Sequence, residues 1–180
     1  MGNNEKHLTL DGEMNIQSLE PQLLNRLLYS FDQITSYHRF RSLQAGMPKN
    51  EFIEIISNAC IESTILNLRM LDEFFSTKNI QSDDVRALHF WDYKPTTFLT
   101  DKERRAINKQ LAHFTEHRVD ISWTGWPVKL WMRKCMNEMI TFFDHIEDNL
   151  GFDHPLWQEV NGRRKALENL LALDEKTIYT

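Results

Sequence analysis

The chain of 180 residues is long enough to bury one sizeable core and short for two full domains. Hydrophobic residues make up 41% of it and charged residues 26%, and no apolar run approaches the roughly 20 residues of a membrane span, which excludes collagen-like, disordered and membrane classes. The net charge of −5 argues against extensive coating of nucleic acid, because phosphate binding draws on clustered Lys and Arg. A local basic patch is still compatible with this charge.

Glycine and proline are scarce, and they fall between long stretches that contain neither. The six glycines and five prolines are distributed as in a helical bundle. We predict a flexible segment over residues 1–17, one helical domain over 18–175 and a tail over 176–180. Residues 1–13 lack the basic-then-apolar pattern of a secretory signal, which predicts a cytoplasmic protein with no membrane partner. No pattern predicts a cofactor.

Two helices are predicted before the longest connection. The first starts at Ser18, with Pro21 in its first turn, and its apolar residues recur every three or four positions. Asn50 is the predicted N-cap of the second, whose apolar residues extend around more than one face, so we expect this helix to lie centrally in the bundle. Residues 77–100 then form an irregular connection with a helical turn near 83–88. Aromatic side chains are expected to fix this connection to the bundle: Phe90, Trp91, Tyr93 and Phe98.

Three more helices are predicted after this connection. Thr100 caps the third, over residues 100–118, with Glu103 three positions on, an arrangement that satisfies two backbone donors reciprocally. Pro127 and Pro155 open the fourth and the fifth, which end near residues 150 and 173. No alternating apolar and polar segment bounded by turns predicts a strand. The sequence therefore predicts an all-α bundle of four to five helices.

The third predicted helix holds the densest group of polar residues, and metal binding is one hypothesis for it. His113 and His117 are ~40° apart around an α-helix, so they can share one metal ion. With Glu116 they form His-x-x-Glu-His, the inverted order of a zinc-protease motif. A third ligand from another helix would build an open site that resembles the zinc bundles of the DinB-like family. The candidates for it are His38, Glu62, Glu138 and His145.

RNA chemistry is the second hypothesis, and it starts from Asn108-Lys109-Gln110-Leu111-Ala112-His113. This segment resembles the Arg-Asn-x-x-x-x-His motif of HEPN domains in its Asn, its His and their spacing. The resemblance implies a HEPN-like helical bundle that forms a homodimer and binds or cleaves RNA without a metal, in a toxin–antitoxin or phage-defence system. It assigns proton transfer to His113 and positioning to Asn108.

This sequence differs from the HEPN motif at the motif's Arg position. Ile107 stands at the Arg position, so Arg105 or Arg104, one turn earlier, would contact the phosphate. A second resemblance departs in a similar way: residues 60–118 are similar to uncharacterised bacterial helical proteins with the pattern Arg-Ile-Asn-Lys-x-Ile-Ala-His, whose Arg falls at Ala106. That likeness implies no established activity.

A structural role is the third hypothesis for the same residues. Asn108 and His113 are ~140° apart on an ideal helix, so they would meet separate surroundings. Glu62 and Arg69, seven apart on one face of the second helix, could supply their polar partners, because charges within an apolar helix must be paired. The protein would then be a non-catalytic interaction bundle, such as an antitoxin, an inhibitor or a subunit that binds a protein partner. The sequence leaves open whether the chain is an enzyme.

Overall fold

The computed structural model describes residues 21–44, 47–48, 50–81, 84–109 and 126–178. Within these ranges it contains five α-helices and no β-strand, which confirms the all-α prediction. The helices are α1 (Pro21–Gln44), α2 (Glu51–Phe74), α3 (Asp101–Ile107), α4 (Val128–Leu150) and α5 (Trp157–Ile178). A 3-10 turn, Ala87–His89, lies in the connection between α2 and α3, close to the predicted helical turn.

The chain divides into two compact units. Unit A comprises the described residues of Gln22–Glu73 and Thr97–Cys135, and unit B comprises Pro21 and the described residues of Phe74–Thr96 and Met136–Thr180. Both α2 and α4 contribute to both units, because the divisions fall within these helices. The single domain predicted over residues 18–175 stays a prediction. The flexible segment predicted over residues 1–17 lies outside the described residues. Helix α5 extends past the predicted end of the last helix, near residue 173, to Ile178.

Two helices begin at the capping residues that the sequence predicts. The Asn50 side-chain oxygen accepts the Ile53 N–H at 2.9 Å before α2. Before α3, the Thr100 hydroxyl accepts the Glu103 N–H at 3.2 Å, and the Glu103 carboxylate accepts the Thr100 N–H at 2.7 Å. Glu103 also accepts the indole N–H of Trp131 at 2.8 Å, which ties α3 to α4. Burial alone would raise the pKa of Glu103, but the hydrogen bonds from Thr100 and Trp131 hold this pKa below its ordinary value.

The buried carboxylate of Asp72, in the last turn of α2, is the polar centre of unit A. Its Oδ1 accepts the N–H groups of Phe98 and Leu99 at 2.9 and 2.8 Å. Its Oδ2 accepts the Nε–H of Arg104 at 2.6 Å. Because Asp72 is 0% exposed, these three donors replace the water that the carboxylate loses on folding. One side chain thus fixes α2, the segment before α3 and α3 itself to one another.

Aromatic rings form the core of unit B and hold the connection between α2 and α3. The ring of Phe142, on α4, lies between 5.1 and 5.7 Å from four others, measured between centroids: Phe74, Phe75, Phe90 and Tyr93. Their edge-to-face arrangements are the ones that aromatic quadrupoles favour. Phe90, Tyr93 and Phe98 are buried, as expected of aromatics that anchor this connection. Trp91 is only partly buried, with its ring 6.5 Å from that of Phe90 between centroids.

The prediction that α2 lies centrally in the bundle is wrong for one of its faces. Ile65, Leu68 and Leu71 are buried, as expected for a core stripe. The opposite side of the apolar pattern faces solvent, with Phe52 68% and Ile55 59% exposed. An apolar pattern that extends around a helix therefore does not distinguish a fully packed helix from one with an uncovered apolar face.

The contacts of Asp72 with Phe98, Leu99 and Arg104 form the Asp72 network. Asp101 provides a matched control for it, because its carboxylate also accepts a hydrogen bond from Arg104. We expect Asp72→Asn to lower the free energy of unfolding by about 3 kcal/mol, because it leaves a partly buried guanidinium and buried N–H groups poorly paired. Asp101 is 62% exposed. The same substitution there should cost less than about 1 kcal/mol. Urea unfolding of the two variants measures both values, and equal losses would contradict the central place of Asp72.

Candidate functional site

Asn108 directly follows α3, and its side chain contacts α2. The Nε–H of Arg69 donates a hydrogen bond to the Asn108 side-chain oxygen. A terminal nitrogen of the same guanidinium lies 3.6 Å from the carboxylate of Glu73, one turn further along α2. The Arg69 side chain is 30% exposed, so the group is neither sealed in the core nor fully hydrated. The structure thus joins one residue of the predicted motif to one residue of the predicted polar pair.

The backbone around Asn108 explains why its side chain takes this position. Ile107 is 0% exposed and anchors the end of α3 in the core of unit A. The Asn108 N–H donates to the carbonyl oxygens of Arg104 and Arg105, which continues the helical path by one residue. Residues 108 and 109 adopt a π-helical turn, a local widening that often occurs at functional sites. Asn108 itself keeps the backbone angles of a right-handed helix, φ −59° and ψ −46°.

The two arginines predicted to contact phosphate differ in their surroundings. Arg104 donates from all three guanidinium nitrogens, to Asp72 at 2.6 Å, to Asp101 at 2.8 Å and to the carbonyl oxygen of Leu99 at 3.1 Å. Its role in this structure is to hold α3 in place. Arg105 is exposed on α3 and open to solvent.

The remaining predicted site residues fall into two groups. His113, Glu116 and His117 lie outside the described residues. Glu62 is partly exposed on α2, and in the part of the chain that the structure describes no polar contact to it is found. The structure therefore brings together Asn108 and Arg69, and leaves Glu62 apart from them.

Two of the candidates for a further metal ligand have other partners in unit B. Glu138 accepts the Tyr93 hydroxyl at 3.0 Å and the Thr96 N–H at 2.7 Å. The Nε2 of His145 lies 3.1 Å from the carbonyl oxygen of Trp91. The side chain of His38 is outside what the structure describes. Among the described residues, no group of three or more His, Cys, Asp or Glu side chains is placed to hold a metal ion.

One arginine of α5 binds two carboxylates of α4 and one of its own helix. Arg164 donates to Glu147 at 2.8 Å and to Glu168 at 2.6 Å, and it lies 3.1 Å from the carboxylate of Asp144. The hydrogen bond to Glu147 raises the pKa of Arg164. Burial raises the pKa of Asp144, although Arg164 opposes the shift. These contacts therefore serve to join α4 and α5.

Asp72 is the residue of this region that the sequence patterns did not single out. It lies four positions after Leu68 and seven after Ile65, so it falls on the buried stripe of α2. A carboxylate on such a stripe requires buried donors, which is the signal that could have identified it. Its partners come from a segment more than twenty residues further on, and no local pattern names them.

No protein-family model, no curated protein and no solved structure matches this chain. No helix within the described ranges combines the length and the apolar character needed to cross a bilayer. The inferences about function therefore rest on the chain's own residues and on the geometry of unit A.

A double-mutant cycle tests whether Arg69 and Asn108 act as a pair. We expect Arg69→Ala and Asn108→Ala to be coupled by roughly 1 kcal/mol in the free energy of unfolding, the value typical of a partly exposed hydrogen bond to a charged group. Lys102→Ala combined with Asn108→Ala is the control: Lys102 is exposed on α3, ~9 Å before Asn108 along the helix, and these two effects should add within about 0.5 kcal/mol. Additive behaviour of the Arg69 and Asn108 substitutions in urea unfolding would contradict the contact.

Proposed function

We propose that this chain is a HEPN-type RNA-cleaving or RNA-binding module, acting in a toxin–antitoxin or phage-defence system. The observation that carries this proposal is the contact between Arg69 and Asn108. Ile107, at the motif's Arg position, is buried and cannot meet a phosphate. Arg69 brings a guanidinium to the motif Asn from another helix, and it is partly exposed there. A planar guanidinium is the group best suited to bind phosphate oxygens.

The chemistry proposed is attack by a ribose 2′-oxygen on the adjacent phosphorus. The bond from the 2′-oxygen to phosphorus forms as the bond from phosphorus to the 5′-oxygen breaks, leaving a cyclic phosphate and a 5′-hydroxyl. His113 accepts the 2′-hydroxyl proton while water protonates the leaving 5′-oxygen, or His113 protonates the leaving oxygen while water accepts the 2′-hydroxyl proton. The Arg69 guanidinium stabilises the negative charge that develops on the phosphate oxygens. Asn108, held by Arg69, orients the nucleotide.

Arg105 supplies a second cation in this proposal. It is exposed on α3, three residues before Asn108, whereas Arg104 is bound by three acceptors. An exposed arginine can bind the RNA backbone by releasing a counterion, with no preference for sequence. The two arginines therefore have separate roles: Arg69 acts at the reacting phosphate, and Arg105 adds affinity along the strand.

A non-catalytic interaction bundle is the second candidate function. Two observations favour it: Arg104 is committed to the Asp72 network, and α2 leaves large apolar side chains uncovered. Exposed apolar patches on soluble proteins commonly mark protein–protein contacts. In this alternative, the contact between Arg69 and Asn108 holds unit A together and binds no ligand.

Substitution of His113 separates the two functions. We expect the full chain to cleave single-stranded RNA in the presence of a chelator, and His113→Ala to lower the rate about 100-fold or more, the typical share of a general acid or base. His117→Ala is the matched control, because it removes the same type of side chain four positions further along the sequence, and it should leave cleavage unchanged. Thermal unfolding of both variants should match the wild type.

The RNA assay also contains the outcomes that favour the alternative. An unchanged rate in His113→Ala would exclude the proposed chemistry. Wild-type protein that neither cleaves nor binds RNA would favour the interaction bundle. Binding without cleavage that weakens in Arg105→Ala, with a reduced salt dependence, would identify an RNA-binding module with no catalytic activity.

A further inference from the structure

One face of α2 carries a row of exposed apolar side chains. Phe52, Ile55, Leu66 and Met70 are 68%, 59%, 37% and 55% exposed. At ~100° per residue, all four point within ~60° of one another, and the row extends ~27 Å along the helix. Single exposed apolar residues are common, but a continuous row of this length on one face is typical of an interaction surface.

The row has the same order of side-chain sizes in both directions. Phe52 and Met70 are its large ends, Ile55 and Leu66 come next, and Ala59 and Ser63 are its small centre. A twofold axis at position 61 that pairs two antiparallel copies would set Phe52 opposite the partner's Met70. It would likewise set Ile55 opposite the partner's Leu66. Such self-complementarity is what an isologous interface requires, since each residue must suit its counterpart on the same surface.

We propose that a second copy of this chain covers the row, with the two α2 helices antiparallel. The small residues Ala59 and Ser63 meet at the centre, which allows the helix axes to approach to about 8 Å, the close end of the usual range. The large side chains at both ends then fill the space where the helices diverge. This inference does not depend on the proposed RNA chemistry.

The exposed apolar area of the row and the charges beside it are compatible with a second copy of this chain. The four exposed side chains present on the order of 400 Å² of apolar surface, taking roughly 150–250 Å² for a whole large side chain. That amount can form the apolar centre of a standard interface, which buries about 800 Å² on each partner. Along the flank of the row, Glu51 comes within ~3 Å of axial register with the partner's Arg69, an opposite-charge pair.

The arrangement also has an unfavourable contact, which makes it easier to test. Glu62 lies on the same flank, close to the twofold axis, so it approaches the partner's Glu62. Two like charges so placed oppose association. Because the axis is near position 61, the two Arg69 side chains lie ~24 Å apart along the pair of helices. Each copy therefore carries its own contact between Arg69 and Asn108.

Sedimentation equilibrium of the full chain tests the interface. We expect the wild type to dimerise, and Ala59→Arg to be a monomer, because a long charged side chain at the centre prevents close approach. Asn25→Arg is the matched control: it adds the same charge at an exposed position of α1, away from the row, and it should stay dimeric. Glu62→Gln should tighten the dimer several-fold. A monomeric wild type, or a dimer that survives Ala59→Arg, would overturn the proposal.

Cysteine cross-linking tests the antiparallel pairing, and it remains informative if Ala59→Arg fails to fold. A mixture of the single variants Ala59→Cys and Ser63→Cys should form a disulfide between chains, because positions 59 and 63 of opposite copies are adjacent. Each variant alone should cross-link less. The wild type, in which neither Cys60 nor Cys135 forms a disulfide, gives the background. Stronger cross-linking of Ala59→Cys with itself than with Ser63→Cys would contradict the antiparallel arrangement.

Discussion

The geometry of unit A depends on one buried carboxylate. Asp72 is fully buried, and it accepts hydrogen bonds from two backbone N–H groups of an irregular segment and from Arg104. A carboxylate in this environment is stable only with all its donors in place, so it imposes a position on each of them. Because Arg104 belongs to α3, the same carboxylate sets where α3 begins and how it is rotated. Ile107 is then buried, and Asn108 meets Arg69.

This constraint divides the arginines of the region by role. If Arg104 left Asp72, the buried carboxylate would lose its charged partner, so the role of Arg104 is structural. Arg69 makes a hydrogen bond through its Nε and is partly exposed. Helix α2 therefore contributes three features from three faces: a buried stripe with Asp72, a guanidinium at Asn108, and an uncovered apolar row. The Arg69 guanidinium lies between the buried stripe and the apolar row, so a second copy on the row would bring its Glu51 towards this guanidinium.

Much of the helical structure could be predicted from the sequence, because its signals are local. The caps at Asn50 and Thr100 and the prolines before α4 and α5 act within a few residues, and their helices begin within two residues of the predicted positions. The contacts that build the candidate site are not local. Asn108 and Arg69 are thirty-nine residues apart, and no spacing rule links them. The exposed row on α2 escaped prediction for a related reason: periodicity indicates which residues share a face, and the packing of other elements decides whether that face is covered.

Hydrogen exchange at the amides of Phe98 and Leu99 tests the role of Asp72 most directly. These two residues precede α3 and belong to no helix, so the carboxylate of Asp72 is the acceptor that protects them. Their N–H groups should exchange about as slowly as those in the interior of α2, because release requires opening of the buried network. Exchange as fast as that of the neighbouring exposed residue Thr97 would contradict the claim that Asp72 organises unit A.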